Sequence, residues 1–198
     1  MTAPLGSVRQ KTLKLGGFAT LIEALEYAAG CETGFNFYSS RGELIDRLSY
    51  RDMQIRAVDM AYRLVAMTEA GDRVGICATT NADFIVLFYA CQYAGVIPAP
   101  LPLPVTLGGR GSYERTLQRM SDTGDFAVLL TPASMEKIIS SALNDHDVPV
   151  VTFEDMRDLP SADHLRPLGP DDMCYIQYSS GSSSSPKGII GTQATVMA

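Results

Sequence analysis

The segment YSSGSSSSPKGIIGT at 178–192 carries the densest set of groups able to do chemistry in this chain of 198 residues. Ser179, Ser180, Ser182, Ser183, Ser184 and Ser185 surround Gly181 with hydroxyls, and Lys187 follows Pro186. Such a loop can aim backbone N–H groups, hydroxyl donors and one ammonium at an anion, which is what holding a triphosphate requires. Serine-rich runs also serve as flexible linkers. Here the apolar run CYIQY stands just before the serines, and Pro186-Lys187-Gly188 leads straight into Ile189-Ile190. The spacing therefore predicts the tip of a hairpin between two strands. A Walker A loop does not fit, because Pro186 precedes Lys187 where that pattern needs Gly, and Gly188 follows where it needs Ser or Thr.

The elements that must position this loop follow from periodicity. Leu21, Ile22, Leu25 and Ala28/Ala29 recur at helical spacing, and Gly30 ends the run. Phe35–Tyr38 and Glu43–Leu48, joined by Ser39-Ser40-Arg41-Gly42, predict a hairpin. Ser49 and Asp52 resemble a capping box opening a helix from about Tyr50 to Met67. Strand and helix then alternate: Arg73–Ala78, Asn81–Tyr93, Val96–Leu101, Tyr113–Asp122, Phe126–Leu130, Ser134–Leu143 and Val148–Thr152. This predicts an α/β fold, doubly wound, with a mainly parallel sheet, helices on both faces and the early hairpin at one side. Pro98–Pro104 is expected as an extended edge or loop over the surface, since proline removes ladder donors. A polar linker around Ser161–Pro170 precedes the strand Cys174–Tyr178 and the return strand Lys187–Thr192. The chain thus divides into a flexible N-terminus at 1–17, an α/β unit at 18–170, and the loop with its strands at 171–198.

Composition sets the outer bounds. Lys plus Arg is 16 against 22 Asp plus Glu, a net charge of −6, which leaves no strongly basic face for duplex nucleic acid. Cys31, Cys77, Cys91 and Cys174 are scattered with no C-x-x-C pair, and His146 and His164 lie near none of them. A zinc site is not expected, and the cysteines read as reduced, buried thiols. No segment is long and apolar enough to span a bilayer, and no signal peptide is recognisable, so the cytoplasm is the expected location.

The run Ser179-Ser180-Gly181-Ser182-Ser183, with Pro186-Lys187-Gly188, resembles the phosphate-binding signature of the adenylate-forming superfamily, roughly [TS]-[TS]-G-[ST]-T-G-x-P-K-G. Three upstream segments are similar to the same family in the same order: LSYRDM, EAGDRVGI and YAGVIPAPLPLP. The sequence departs from the pattern at Ser184, where the family has a second glycine, and at Gln193, where many members have His. PAPLPLPVTLGGRGSYERTLQRMSDTGDFAVLLT is most similar to fatty acyl-AMP ligases, ahead of acyl-CoA synthetases and amino-acid-activating domains.

The resemblance implies the N-terminal part of an adenylation domain. It implies a fatty acid joined to AMP from ATP and then passed to an acyl carrier protein or to CoA. Ser179, Ser180, Gly181, Ser182, Ser183, Ser184 and Lys187 would hold the phosphates. The Mg ligand and the catalytic residues are expected beyond Ala198, leaving this chain inactive alone and the hairpin around the loop mobile or displaced. The alternative is a non-catalytic homologue or scaffold.

Overall fold

The computed structural model describes Lys14 and residues 16–103, 110–179 and 186–198. The elements run in the order α1 (Leu21–Ala28), β1 (Gly34–Tyr38), β2 (Leu44–Ser49), α2 (Tyr50–Met67), β3 (Arg73–Ile76), α3 (Ala82–Ala94) and β4 (Ile97–Pro100). They continue as α4 (Arg110–Gly124), β5 (Phe126–Thr131), α5 (Ala133–Ala142), β6 (Val150–Thr152), α6 (Phe153–Met156), β7 (Met173–Ser179), β8 (Lys187–Thr192) and α7 (Gln193–Met197). The main helix starts are set by local chemistry. Thr20, Ser49 and Asn81 have extended backbones, and their side chains accept from the N–H groups of Glu23, Asp52 and Phe84. Each satisfies a donor that the first helical turn leaves open.

β3, β4, β5 and β6 form a parallel sheet in the order β4-β3-β5-β6. Alternation along the strands divides the core. Val74, Ile76, Val128 and Leu130 pack with Leu25 of α1, Met53 and Leu64 of α2, and Val86 and Ala90 of α3. Ile97, Ala99, Phe126 and Leu129 face the other way, against Tyr113 and Leu117 of α4 and Ile139 of α5. Helices therefore cover both faces, as the βα alternation requires. β1 and β2 pair antiparallel as a separate hairpin, with Gly42 (φ 79°) completing its turn.

Three expectations are corrected. Pro98 and Ala99 are buried within β4, and Leu101 is buried beside its end, so this segment does not cross the surface. Ile97 N–H donates to Asp72 and Leu101 N–H to Ile76, which fixes the edge that faces β3. The nitrogens of Pro98 and Pro100 fall on the opposite edge, where β7 lies alongside. They carry no N–H, so β4 ends the hydrogen-bonded sheet, and β7 and β8 form a pair of their own. Pro102 and Leu103 are half-buried, while Pro104 and most of the N-terminus at 1–17 lie outside the described residues.

The 161–170 linker is tied down: Ala162, Arg166 and Leu168 donate to Tyr62, Tyr93 and Gln92 carbonyls. The second correction is that Cys31 is half-buried, although Cys77, Cys91 and Cys174 are buried as expected. Third, the β7–β8 hairpin is docked and not displaced: Cys174 and Ile176 are buried, and α7 packs against α1.

Candidate phosphate-binding site

β7 enters the site as a half-apolar strand whose Cys174 and Ile176 turn inward. Antiparallel pairing with β8 then sets the register Ile176↔Ile190, Tyr178↔Gly188 and Ser179↔Lys187. Gly188 is required by close approach, because a Cβ there would stand 2.9 Å from Cγ2 of Ile176. Of the residues assigned to phosphate binding, the structure brings the backbones of Ser179 and Lys187 opposite each other, with Lys187 exposed. Ser180, Gly181, Ser182, Ser183 and Ser184 lie outside the described residues.

Beside the loop's flanks is a cavity of about 200 Å³, lined among others by Arg73, Thr123, Tyr178, Pro186 and Gly188. The Tyr178 hydroxyl donates to the Met120 carbonyl at 3.4 Å, and its ring meets Phe126 edge-on at 6.4 Å. Burial pushes the Tyr178 hydroxyl up from its ordinary value, against the opposing effects of Thr123 and Arg73. Arg73 is held at this cavity by a 3.0 Å bond to the Gly124 carbonyl and by Asp125 at 3.7 Å. Sequence reasoning took Arg73 only as the start of a strand.

The end of the hairpin away from the loop is fixed by two fully buried glutamines. Gln193 Nε2 donates to Gln92 Oε1 at 2.7 Å, and Gln92 Nε2 donates to the Cys174 carbonyl at 2.8 Å. The Leu21 N–H donates to Gln193 Oε1 at 3.0 Å. Gln92 was hidden in the sequence as one polar residue in the apolar run NADFIVLFYACQY.

Comparison with known proteins decides the family. The AMP-binding enzyme family matches residues 35–198. The chain belongs to that family. A "Putative acyl-CoA synthetase" of Caulobacter vibrioides is 36% identical over 201 residues, covering 100% of this chain and 34% of the relative. A medium-chain-fatty-acid–[acyl-carrier-protein] ligase, JamA of Moorena producens, is 27% identical over 194 residues, covering 91% of this chain and 32% of the relative. A solved structure from work on fatty acyl-adenylate ligases of E. coli and L. pneumophila superposes with a TM-score of 0.86 at 37% identity, covering 91% of this chain and 33% of that one.

This AMP-binding chain therefore spans about a third of the length of the relatives it matches, and it is close to the fatty acyl-AMP and acyl-CoA ligases. Among the described residues no group of three or more His, Cys, Asp or Glu side chains gathers to hold a metal ion. No helix among the described residues is long and apolar enough to cross a membrane.

Proposed function

We propose that this chain is the phosphate-binding N-terminal portion of a fatty-acid-activating ligase. The reaction begins when a fatty acid carboxylate oxygen attacks the α-phosphorus of ATP. The bond to the bridging oxygen breaks, leaving acyl-AMP and pyrophosphate, and the acyl group then passes to the thiol of an acyl carrier protein or of CoA, releasing AMP and the thiol's proton. Negative charge gathers on the leaving pyrophosphate. In this reading Lys187 and the hydroxyls of Ser179, Ser180, Ser182, Ser183 and Ser184 offset that charge, and Gly181 lets the backbone come close. The division at about residue 170, between the sheet-bearing unit and the loop-bearing hairpin, is part of the same reading. Groups for the far side of the α-phosphate would come from the two-thirds of the relatives' length that this chain does not span.

The observation that carries the proposal is the ladder pair Ser179↔Lys187, which sets the ends of a serine-rich loop face to face after a half-apolar strand. The similarity to a ligase of medium-chain fatty acids and acyl carrier protein supports the acyl substrate. The test is ATP–pyrophosphate exchange by the full-length protein. Exchange that depends on fatty acids is expected. Exchange that depends on amino acids would move the chain to another branch, and absence of exchange with both would favour a non-catalytic scaffold.

A further inference from the structure

Cys174 lies at the start of the strand that enters the loop, and Gln193 directly follows the strand that leaves it. Both bond to one side chain, Gln92 on α3. The thiol of Cys174 also lies 3.8 Å from Gln92 Oε1, so the entering strand touches both ends of the amide. Gln193 in turn accepts from the Leu21 N–H at the start of α1. A buried amide stripped of its partners is strongly penalised, because it has given up water and gained no bond in exchange. The network is therefore satisfied in only one arrangement. A slip of β8 by one residue would turn Gln193 to the other face and break its bonds to Gln92 and to the Leu21 N–H, leaving only those between Gln92 and Cys174. An apolar pair in the same place would fill the volume but make no directional bonds tying the hairpin to α3.

We propose that Gln92 and Gln193 are positioning residues for the phosphate loop: together they clamp both strands of the hairpin to α3 and so set where Lys187 stands. The effect on ATP rests on the reading of the loop given above; the clamp itself does not. Geometry gives the reach. From Cys174 to Ser179 the strand runs about 17 Å at roughly 3.3 Å per residue, so a tilt of about 5° at the base moves the tip by about 1.5 Å. A misplacement of about 1 Å can cost roughly 10²-fold in rate. The clamp also accounts for the departure at position 193. Gln193 uses one acceptor and one donor, and a neutral imidazole offers the same pair, so Gln and His are exchangeable here where Leu or Met would not be.

The test uses the full-length protein with Gln92→Met, Gln193→Met and Gln193→His. Methionine keeps the length and flexibility of the side chain and removes its hydrogen bonds. Hydrogen exchange should speed at least tenfold in both β7 and β8 of the Met variants while β3 and β5 stay protected. The KM for ATP should rise, or kcat fall, by 10- to 100-fold with the KM for fatty acid unchanged, and Gln193→His should restore both readouts. Protected strands in the Met variants, or loosening of only one strand, would overturn the clamp. Loosened strands with unchanged ATP kinetics would overturn its positioning role. A wild-type protein that does not bind ATP would instead overturn the phosphate-loop reading, and the exchange data would still decide the clamp. Should the Met variants not fold, Gln193→His against the shorter Gln193→Asn makes the same comparison, and equal behaviour of those two would sink the proposal.

Discussion

Ser179 and Lys187 form the pair that closes the β7–β8 ladder at the loop, so the backbone of each holds the other's position. An antiparallel ladder has one register at a time, and this one is set several residues away, where Cys174 and Ile176 are buried. The place of Lys187 is thus an output of core packing at the other end of the hairpin.

Lys187→Ala removes an exposed ammonium from the mouth of the loop. In the full-length enzyme, fatty-acid-dependent ATP–pyrophosphate exchange should fall about 10²-fold or more, as for other groups that meet charge developing in a transition state. The thermal midpoint should hardly move, because surface substitutions usually shift stability by about 0.5 kcal/mol or less. An unchanged exchange rate would mean that Lys187 takes no part in offsetting the phosphate charge.

Gly124→Ala tests the packing beneath the site. A Cβ at Gly124 would run into the Phe126 ring and stand 2.7 Å from the Tyr178 hydroxyl, one residue before Ser179. Overpacking of this kind should cost about 1–3 kcal/mol, read as a lower free energy of urea unfolding. Gly111→Ala in the same helix is the control, since among the described residues its Cβ would meet only Arg115 Nη1 at 3.6 Å. That variant should be neutral or slightly stabilising by helix propensity.

The parts of the fold legible in the sequence are those that local chemistry decides. α2 begins at Tyr50 because Ser49 caps it, and α3 ends before Gly95, whose φ of 72° few other residues adopt readily. α6 and α7 were not legible, since helices of four and five residues carry no periodic stripe. The prolines of β4 showed that a ladder edge must end there, but not that β7 would bury it, which depends on a strand from far along the chain. The site divides in the same way. The turn chemistry of Pro186-Lys187-Gly188 announced the hairpin. The role of Gln92 did not show, because its partners stand 82 and 101 residues away.

The isolated 198-residue chain, incubated with ATP, Mg and fatty acids of several lengths, should give no acyl-adenylate by mass spectrometry, while the full-length protein should give it. The chain spans about a third of the relatives' length, and the proposed loop grips the phosphates from one side only. Catalysis needs reactants held from both sides in a reactive geometry. Accumulation of acyl-adenylate by the chain alone would show that it holds a complete site.

Alkaline pH should unfold the protein through protons that the core holds. Burial pushes the Cys77 thiol up from 9.0 to about 12 and the Cys174 thiol up to about 11, and it pushes the Tyr89 hydroxyl from 10.0 to about 12 with smaller contributions from Tyr50, Cys174 and Tyr93. The Cys91 thiol is raised by the same cause. Between the unfolded and folded values the native protein keeps protons that the unfolded chain has released, so unfolding releases protons and rising pH favours it. Stability from these groups is complete below about pH 9 and drains away as pH climbs towards the folded values of 11 to 12. The urea midpoint should therefore hold level up to about pH 8.5 and fall steadily above about pH 9. Cys77→Ala should start from a lower midpoint at neutral pH, because it leaves a small cavity. Above pH 9 its midpoint should fall less steeply than the wild type's, because one retained proton is gone. Equal slopes for the two proteins would show that the Cys77 thiol ionises as readily in the folded core as in the unfolded chain.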